Sequence, residues 1–166
     1  MGGIFIQTDE LFRRYESLVY RYLMTLCQDE SLAEELTQET FYQAVKSAER
    51  YDGTCKVSTW LCQIGKHMWQ RELRRRKRSE ALRSAIDGHI VSSVKTPEEQ
   101  ISDREAVLDI MKRIHALAET EKEVVLLRIS TDLSFREIGE ILGKSESWAR
   151  VTFFRAKQKL REEHSE

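Results

Sequence analysis

Proline occurs once in 166 residues, glycine seven times and cysteine three times. So little proline and glycine leaves long stretches free to form helix, and it argues against collagen-like, low-complexity or turn-rich β architectures. The three thiols, Cys27, Cys55 and Cys62, are odd in number and include no C-x-x-C pair. Neither a disulfide framework nor a zinc site is indicated, and buried or half-buried free thiols are expected. No apolar run approaches the roughly 20 residues needed to span a bilayer. The segment MGGIFIQTDE has no basic region leading into an apolar stretch, so a cytoplasmic location is expected. Also missing are a nucleophile-base pair, a phosphate-binding glycine loop and metal-ligand spacing. The expectation is no catalysis, no cofactor, no metal and no small-molecule substrate. An enzyme built on His67, Cys62 and Glu72 has little support, because lone polar residues on a helix usually serve packing or solvation.

What is present is unevenly placed charge. The formal net charge is only −1, yet residues 71–78 read RELRRRKR, with six basic side chains in eight positions. Residues 65–83 carry a net charge of +6, flanked by 1–64 and 84–110 at −4 each. That polarity suits a protein touching a polyanion on one face and a different partner on another.

Apolar spacing predicts helices throughout. Leu11, Phe12, Tyr15, Leu18, Val19, Tyr22, Leu23 and Leu26 recur every three or four residues, giving one core-facing stripe over 9–27. Ser31 with Glu34 forms a capping-box pattern opening a helix whose Leu36, Phe41, Ala44, Val45 and Ala48 face the same core. After the turn Asp52-Gly53, a helix begins with Ser58 as N-cap and runs into the basic block. Residues 79–95 lose the periodicity and read as a linker. Thr96-Pro97 opens a helix to about residue 118, Thr120 with Glu123 opens another, and Ser134 with Glu137 a third. The expected fold is all-α, with two helical modules, 1–78 and 96–166, joined by a flexible linker at 79–95.

LSFREIGEILGKSESWARVTFFRAKQKL has the form of a helix-turn-helix, two short amphipathic helices about Gly143-Lys144-Ser145. Ile138, Ile141 and Leu142 should face inward from the first helix. Ala149, Phe153, Ala156 and Leu160 should do so from the second. Ser147, Arg150, Val151, Phe154, Arg155 and Lys157 remain outward, and Ser147–Leu160 holds four bases and no acid. A helix in the major groove needs base-reading side chains near its N-terminus and cations beyond them, and this one has both.

Taken in order, AEELTQETFYQAV, VSTWLCQIGKHMWQRELRRRKR and the helix-turn-helix resemble a bacterial RNA polymerase sigma factor of the extracytoplasmic-function group. Such factors keep only the second and fourth conserved regions of larger sigma factors. The resemblance implies binding to core RNA polymerase, through its largest-subunit coiled coil and its flap region, and to promoter DNA. It also implies an anti-sigma protein, often membrane-anchored. By that resemblance Glu35, Gln38, Glu39 and Phe41 contact polymerase. The −10 element falls to Lys56, Trp60, Gln63, Lys66, His67, Arg71 and Arg74. The −35 element falls to Ser147, Arg150, Val151, Thr152, Phe154, Arg155 and Lys157.

Phe41 is as well explained by the core as by a contact, and Trp60, on the apolar stripe, is better read as structural. His67 stands where the family typically has an asparagine, and Val151-Thr152 where many members have serine-arginine, which leaves base preference open. Trp148 is also unusual and is expected to be half buried. A seventeen-residue linker reaches about 56–61 Å when extended, more than one turn of B-DNA at roughly 34–36 Å, and the two modules are expected to contact sites about two turns apart. A second reading is a stand-alone helix-turn-helix regulator whose residues 1–78 form a sensing or dimerisation domain.

Overall fold

The computed structural model describes residues 8–86 and 103–162. Among them are seven α-helices and one short 3-10 turn: α1 Thr8–Cys27, α2 Glu30–Lys46, the turn Ala48–Arg50, α3 Val57–Ile86, α4 Asp103–Ala116, α5 Glu119–Ser130, α6 Phe135–Leu142 and α7 Glu146–Glu162. No strand occurs among the described residues, as the apolar periodicity predicts. The expected opening at Thr96-Pro97 lies outside them.

In the first module α1, α2 and α3 enclose a core of Leu11, Val19, Leu23, Leu32, Leu36, Phe41, Ala44 and Leu61. The larger of these side chains contribute about 1.5–3 kcal/mol each when fully buried, and Ala44 less. Gly65 is buried where α3 packs on α1 and α2; a Cβ there would meet Thr40 Oγ1 at 3.4 Å and Leu23 at 3.5 Å, ordinary van der Waals contact. The α1–α2 corner is capped differently from expectation. Gln28 takes φ 54°, and Asp29, not Ser31, is the N-cap, its carboxylate accepting from the Leu32 N–H at 3.0 Å. Asp29 immediately precedes α2, the position from which a side chain reaches that orphan donor, whereas Ser31 lies inside the helix. Val45 and Ala48, expected inward, are exposed; the tight C-terminus of α2 turns them outward. Helix α3 starts at Val57, so Ser58 lies inside it, and continues to Ile86. The first eight residues of the expected linker are therefore helical, because nothing between Ser79 and Ile86 breaks a helix.

In the second module Ser134 and Glu137 form a complete capping box at α6. Gly143, in the left-handed region at φ 66°, ends that helix. Gly139 is required for another reason: a Cβ there would sit 2.8 Å from the carbonyl oxygens of both Lys144 and Ser145. Ile138, Ile141, Ala149 and Ala156 are buried, while Leu142, Phe153 and Leu160 are half-buried. Helix α5 begins after Ala118 with no side-chain cap, so the Thr120–Glu123 box does not form. Four consecutive residues of α5, Val124–Leu127, are buried. Such a helix is enclosed on several sides rather than laid on one face.

That enclosure comes from both modules. Val124, Leu127, Leu133, Ile138, Ile141 and Ala149 share one apolar cluster with Tyr22 of α1 and Cys62 of α3. The modules therefore pack directly on each other, α1 against α5 and α3 against α6.

Candidate nucleic-acid and polymerase interfaces

Helix α7 carries the helix-turn-helix face as expected. Ser147, Arg150, Val151, Phe154, Arg155 and Lys157 are exposed, and Thr152 is half-buried. Trp148 is half-buried, and its backbone N–H donates to Ser145 Oγ at 3.1 Å. Arg150 is held by Glu146 and lies 5.9 Å over the Phe135 ring. Arg155 and Lys157 have no ion-pair partner among the described residues. Phe153, packed on Phe135 at 5.4 Å, fixes the rotation of α7 that keeps these cations outward.

The seven residues assigned to the −10 element do not form one track. Trp60 is half-buried on the apolar stripe of α3 and packs on Tyr51, ring centroids 4.8 Å apart. His67 is exposed. Arg71 and Arg74 are exposed and, with Arg75 and Arg78, line an open groove of about 870 Å³ shared with Glu35, Leu36 and Glu39 of α2. The remaining three each meet an acceptor of the second module across the seam between the modules, Lys66 and Gln63 half-buried and Lys56 from an exposed position. Lys66 Nζ donates to both carboxylate oxygens of Glu123, at 3.0 and 3.2 Å. Lys56 pairs with Glu137 at 3.1 Å, and Gln63 Nε2 donates to the Glu140 carbonyl at 2.9 Å.

Glu123 also accepts from the Tyr22 hydroxyl at 2.9 Å. Burial, reinforced by the adjacent Glu123 charge, holds the Tyr22 phenol well above its ordinary range, so it stays a donor. Burial pushes Glu137 up, but hydrogen bonds from Ser134 and the nearby Lys56 outweigh it and leave the carboxyl below its usual value. Cys62, buried in the same seam, is pushed up to about 12 by desolvation, which keeps it an unreactive thiol.

The polymerase set divides as well. Glu35 and Gln38 are exposed and Glu39 is half-buried, accepting from Gln43 at 2.7 Å. Phe41 is core: it is buried edge-on against Phe12, centroids 5.0 Å apart, because its position on α2 follows the inward stripe of Leu36 and Ala44.

Within the basic block Glu72 binds two of the arginines. Its carboxylate accepts from Arg75 at 2.7 and 2.8 Å and from Arg76 at 2.8 Å. Hydrogen bonds from Arg75 and then Arg76 lower its pKa to about 2. Sequence reasoning missed the three residues that organise the seam, Tyr22, Glu123 and Glu137. Glu123 and Glu137 stand at capping-box spacings, but only the second caps a helix, and no local pattern separates the two cases.

Two family models match the chain, sigma-70 region 2 over residues 11–79 and sigma-70 region 4 over residues 108–160. The sigma factor CarQ of Myxococcus xanthus is 30% identical over 154 residues, covering 93% of this chain and 87% of that protein. The extracytoplasmic-function sigma factor SigM of Bacillus subtilis is 29% identical over 154 residues, covering 92% of each. The fold is similar to that of the sigma factor RpoE in its complex with the anti-sigma factor NepR from Bartonella quintana. The TM-score there is 0.70 at 20% identity, covering 93% of this chain and 94% of that one.

Proposed function

Because the chain belongs to the sigma-70 family, in its extracytoplasmic-function group, and directs RNA polymerase to promoters, we propose how its residues divide that work. Helix α7 enters the major groove of the −35 element, where Val151 and Phe154 offer apolar contact, Ser147 and Thr152 hydrogen bonds, and Arg150, Arg155 and Lys157 charge. Lys56, Gln63, Lys66 and His67 hold the opened strand of the −10 element, with Arg71 and Arg74 adding cations further along α3. Glu35, Gln38 and Glu39 on α2 dock on the polymerase coiled coil, with the flap region meeting the second module.

The observation that carries this reading is the acid-free outer face of α7 from Ser147 to Leu160. The stand-alone regulator is set aside, since a sensing domain would not match sigma-70 region 2 over residues 11–79. Mapping transcription starts after overexpression tests the reading. Paired motifs at fixed spacing upstream of the induced starts are expected, and their absence would refute it. Charge reversal at Glu39 should weaken binding to core polymerase while sparing binding of a promoter fragment by the second module. Unchanged polymerase affinity removes α2 from the interface. An anti-sigma protein belongs to the same reading, supported by the RpoE complex of like fold. Recovery of a tagged chain with a partner from membranes, rather than from the soluble fraction, would show that inhibitor to be anchored.

A further inference from the structure

We propose that the free chain pairs with a second copy of itself through the N-terminal half of α4, the two helices lying antiparallel about a two-fold axis beside Leu108 and Asp109.

Only the C-terminal half of α4 is anchored to the second module. Ile114 is buried with Val125, Leu126 and Ala156, and the Arg113 guanidinium donates to the Leu160 carbonyl at 3.5 Å. Toward the other end, every side chain from Glu105 to Lys112 is exposed. Four of these are large and apolar: Val107, Leu108 and Ile110 are each at least 50% exposed, and Met111 is 39% exposed. Among the described residues no other helix exposes more than two large hydrophobics. A helical stretch this short is marginal in water on propensity alone, and a contiguous apolar patch on a soluble surface marks a contact.

Charge decides which partner fits. Val107, Leu108 and Met111 span about 100° of the helix surface. Glu105 and Lys112 lie along the Leu108 edge of that arc, about 10 Å apart down the helix. Both are exposed and have no ion-pair partner among the described residues. One acid and one base on a single edge are complementary to the same edge reversed. In an antiparallel pair each edge meets its own counterpart running the other way, so Glu105 of each copy meets Lys112 of the other. Leu108 then packs on its counterpart, and Met111 reaches Val107 of the second copy. A parallel copy would bring neither acid to a base. The antiparallel contact is isologous, so it closes on two chains and does not grow into a filament. With one short helix from each side it falls below the roughly 800 Å² per partner of a standard interface. The pair is therefore weak and responds to concentration.

The test is sedimentation equilibrium of the full chain from about 1 to 200 µM, where contacts below standard size assemble. The mean mass should climb with concentration from 19.5 kDa toward twice that value. Glu105→Lys or Lys112→Glu alone makes both reciprocal contacts repulsive and should weaken pairing about tenfold. Mixing these two variants sets two lysines against two glutamates and should restore the pair, as should both substitutions in one chain. The altered side chains are exposed, so circular dichroism of every variant should match that of the unaltered chain. A mass that stays at 19.5 kDa throughout would overturn the proposal. Pairing untouched by either reversal would place it on another face and overturn it as well. If the chain stays monomeric while Leu108→Asp weakens binding to core polymerase, the face belongs to that partner and the proposal fails.

Discussion

The chain has two cationic faces made from similar residues, and they are in opposite states. On α7, Arg155 and Lys157 stand in solvent with no ion-pair partner among the described residues. On α3 and the loop before it, Lys66 and Lys56 are each met by a carboxylate from the other module. Local sequence composition cannot tell them apart, because what differs is the element packed opposite. Helix α7 faces outward from a three-helix support, whereas the N-terminal part of α3 packs on α6 and meets α5 through the Lys66–Glu123 pair. Charge in a sequence therefore reports capacity to bind an anion, and the tertiary partner decides whether that capacity is already used.

The comparison can be broken most strongly at Glu123. Glu123→Lys removes the acceptor of Lys66 and Tyr22 and sets a second cation against the first, costing the contact between modules about 3 kcal/mol. Thermal unfolding should then divide into two transitions, one per module, where the unaltered chain shows one. A single transition at the original midpoint would show the seam to be dispensable. Gly139→Ala acts on the open face instead. The added Cβ strikes two backbone carbonyls that have no rotamer to move, so the helix-turn-helix should lose about 1–3 kcal/mol by denaturant unfolding.

Arg155→Ala leaves the fold alone and sharpens what the open face does. Binding to the −35 element should weaken by about 1–3 kcal/mol if Arg155 reads a guanine, and uniformly across sequences if it meets only phosphate. The smallest effect belongs to the basic block. The Glu72 carboxyl lies at about 2 against an ordinary 4.5. Its contribution is complete above the ordinary value and is lost as pH falls from there toward about 2. Comparing the acid dependence of the melting midpoint with that of Glu72→Gln should show a small extra loss for the unaltered chain in that window. It stays small because Arg75 is largely exposed to water.

Periodicity and turn chemistry made most of the fold legible. The stripe of α1, the capping box at Ser134, the glycine turn and the inward set of α7 are all local signals, each decided within one or two turns of helix. Misjudged positions have equally physical causes. Asp29 took the α2 cap because it precedes the helix in extended backbone, while Ser31 lies inside it. Ser79–Ile86 stayed helical because polarity alone does not end a helix. Glu123, at the same spacing from a threonine as Glu137 from a serine, was drawn across the seam by Tyr22 and Lys66. Among the candidate contacts, the exposed face of α7 was readable from spacing. The division of Lys66 from Arg71 and Arg74 was not, since it depends on which helix lies opposite.

Enclosure of α5 has a thermal consequence. Drawing the modules apart would wet Tyr22, Cys62, Val124 and Leu127 together, and exposure of apolar surface raises heat capacity. Separation should therefore become easier on cooling, as apolar attraction fades, and heating through the moderate range should favour the closed form. Temperature alone would then shift the balance between joined and separated modules.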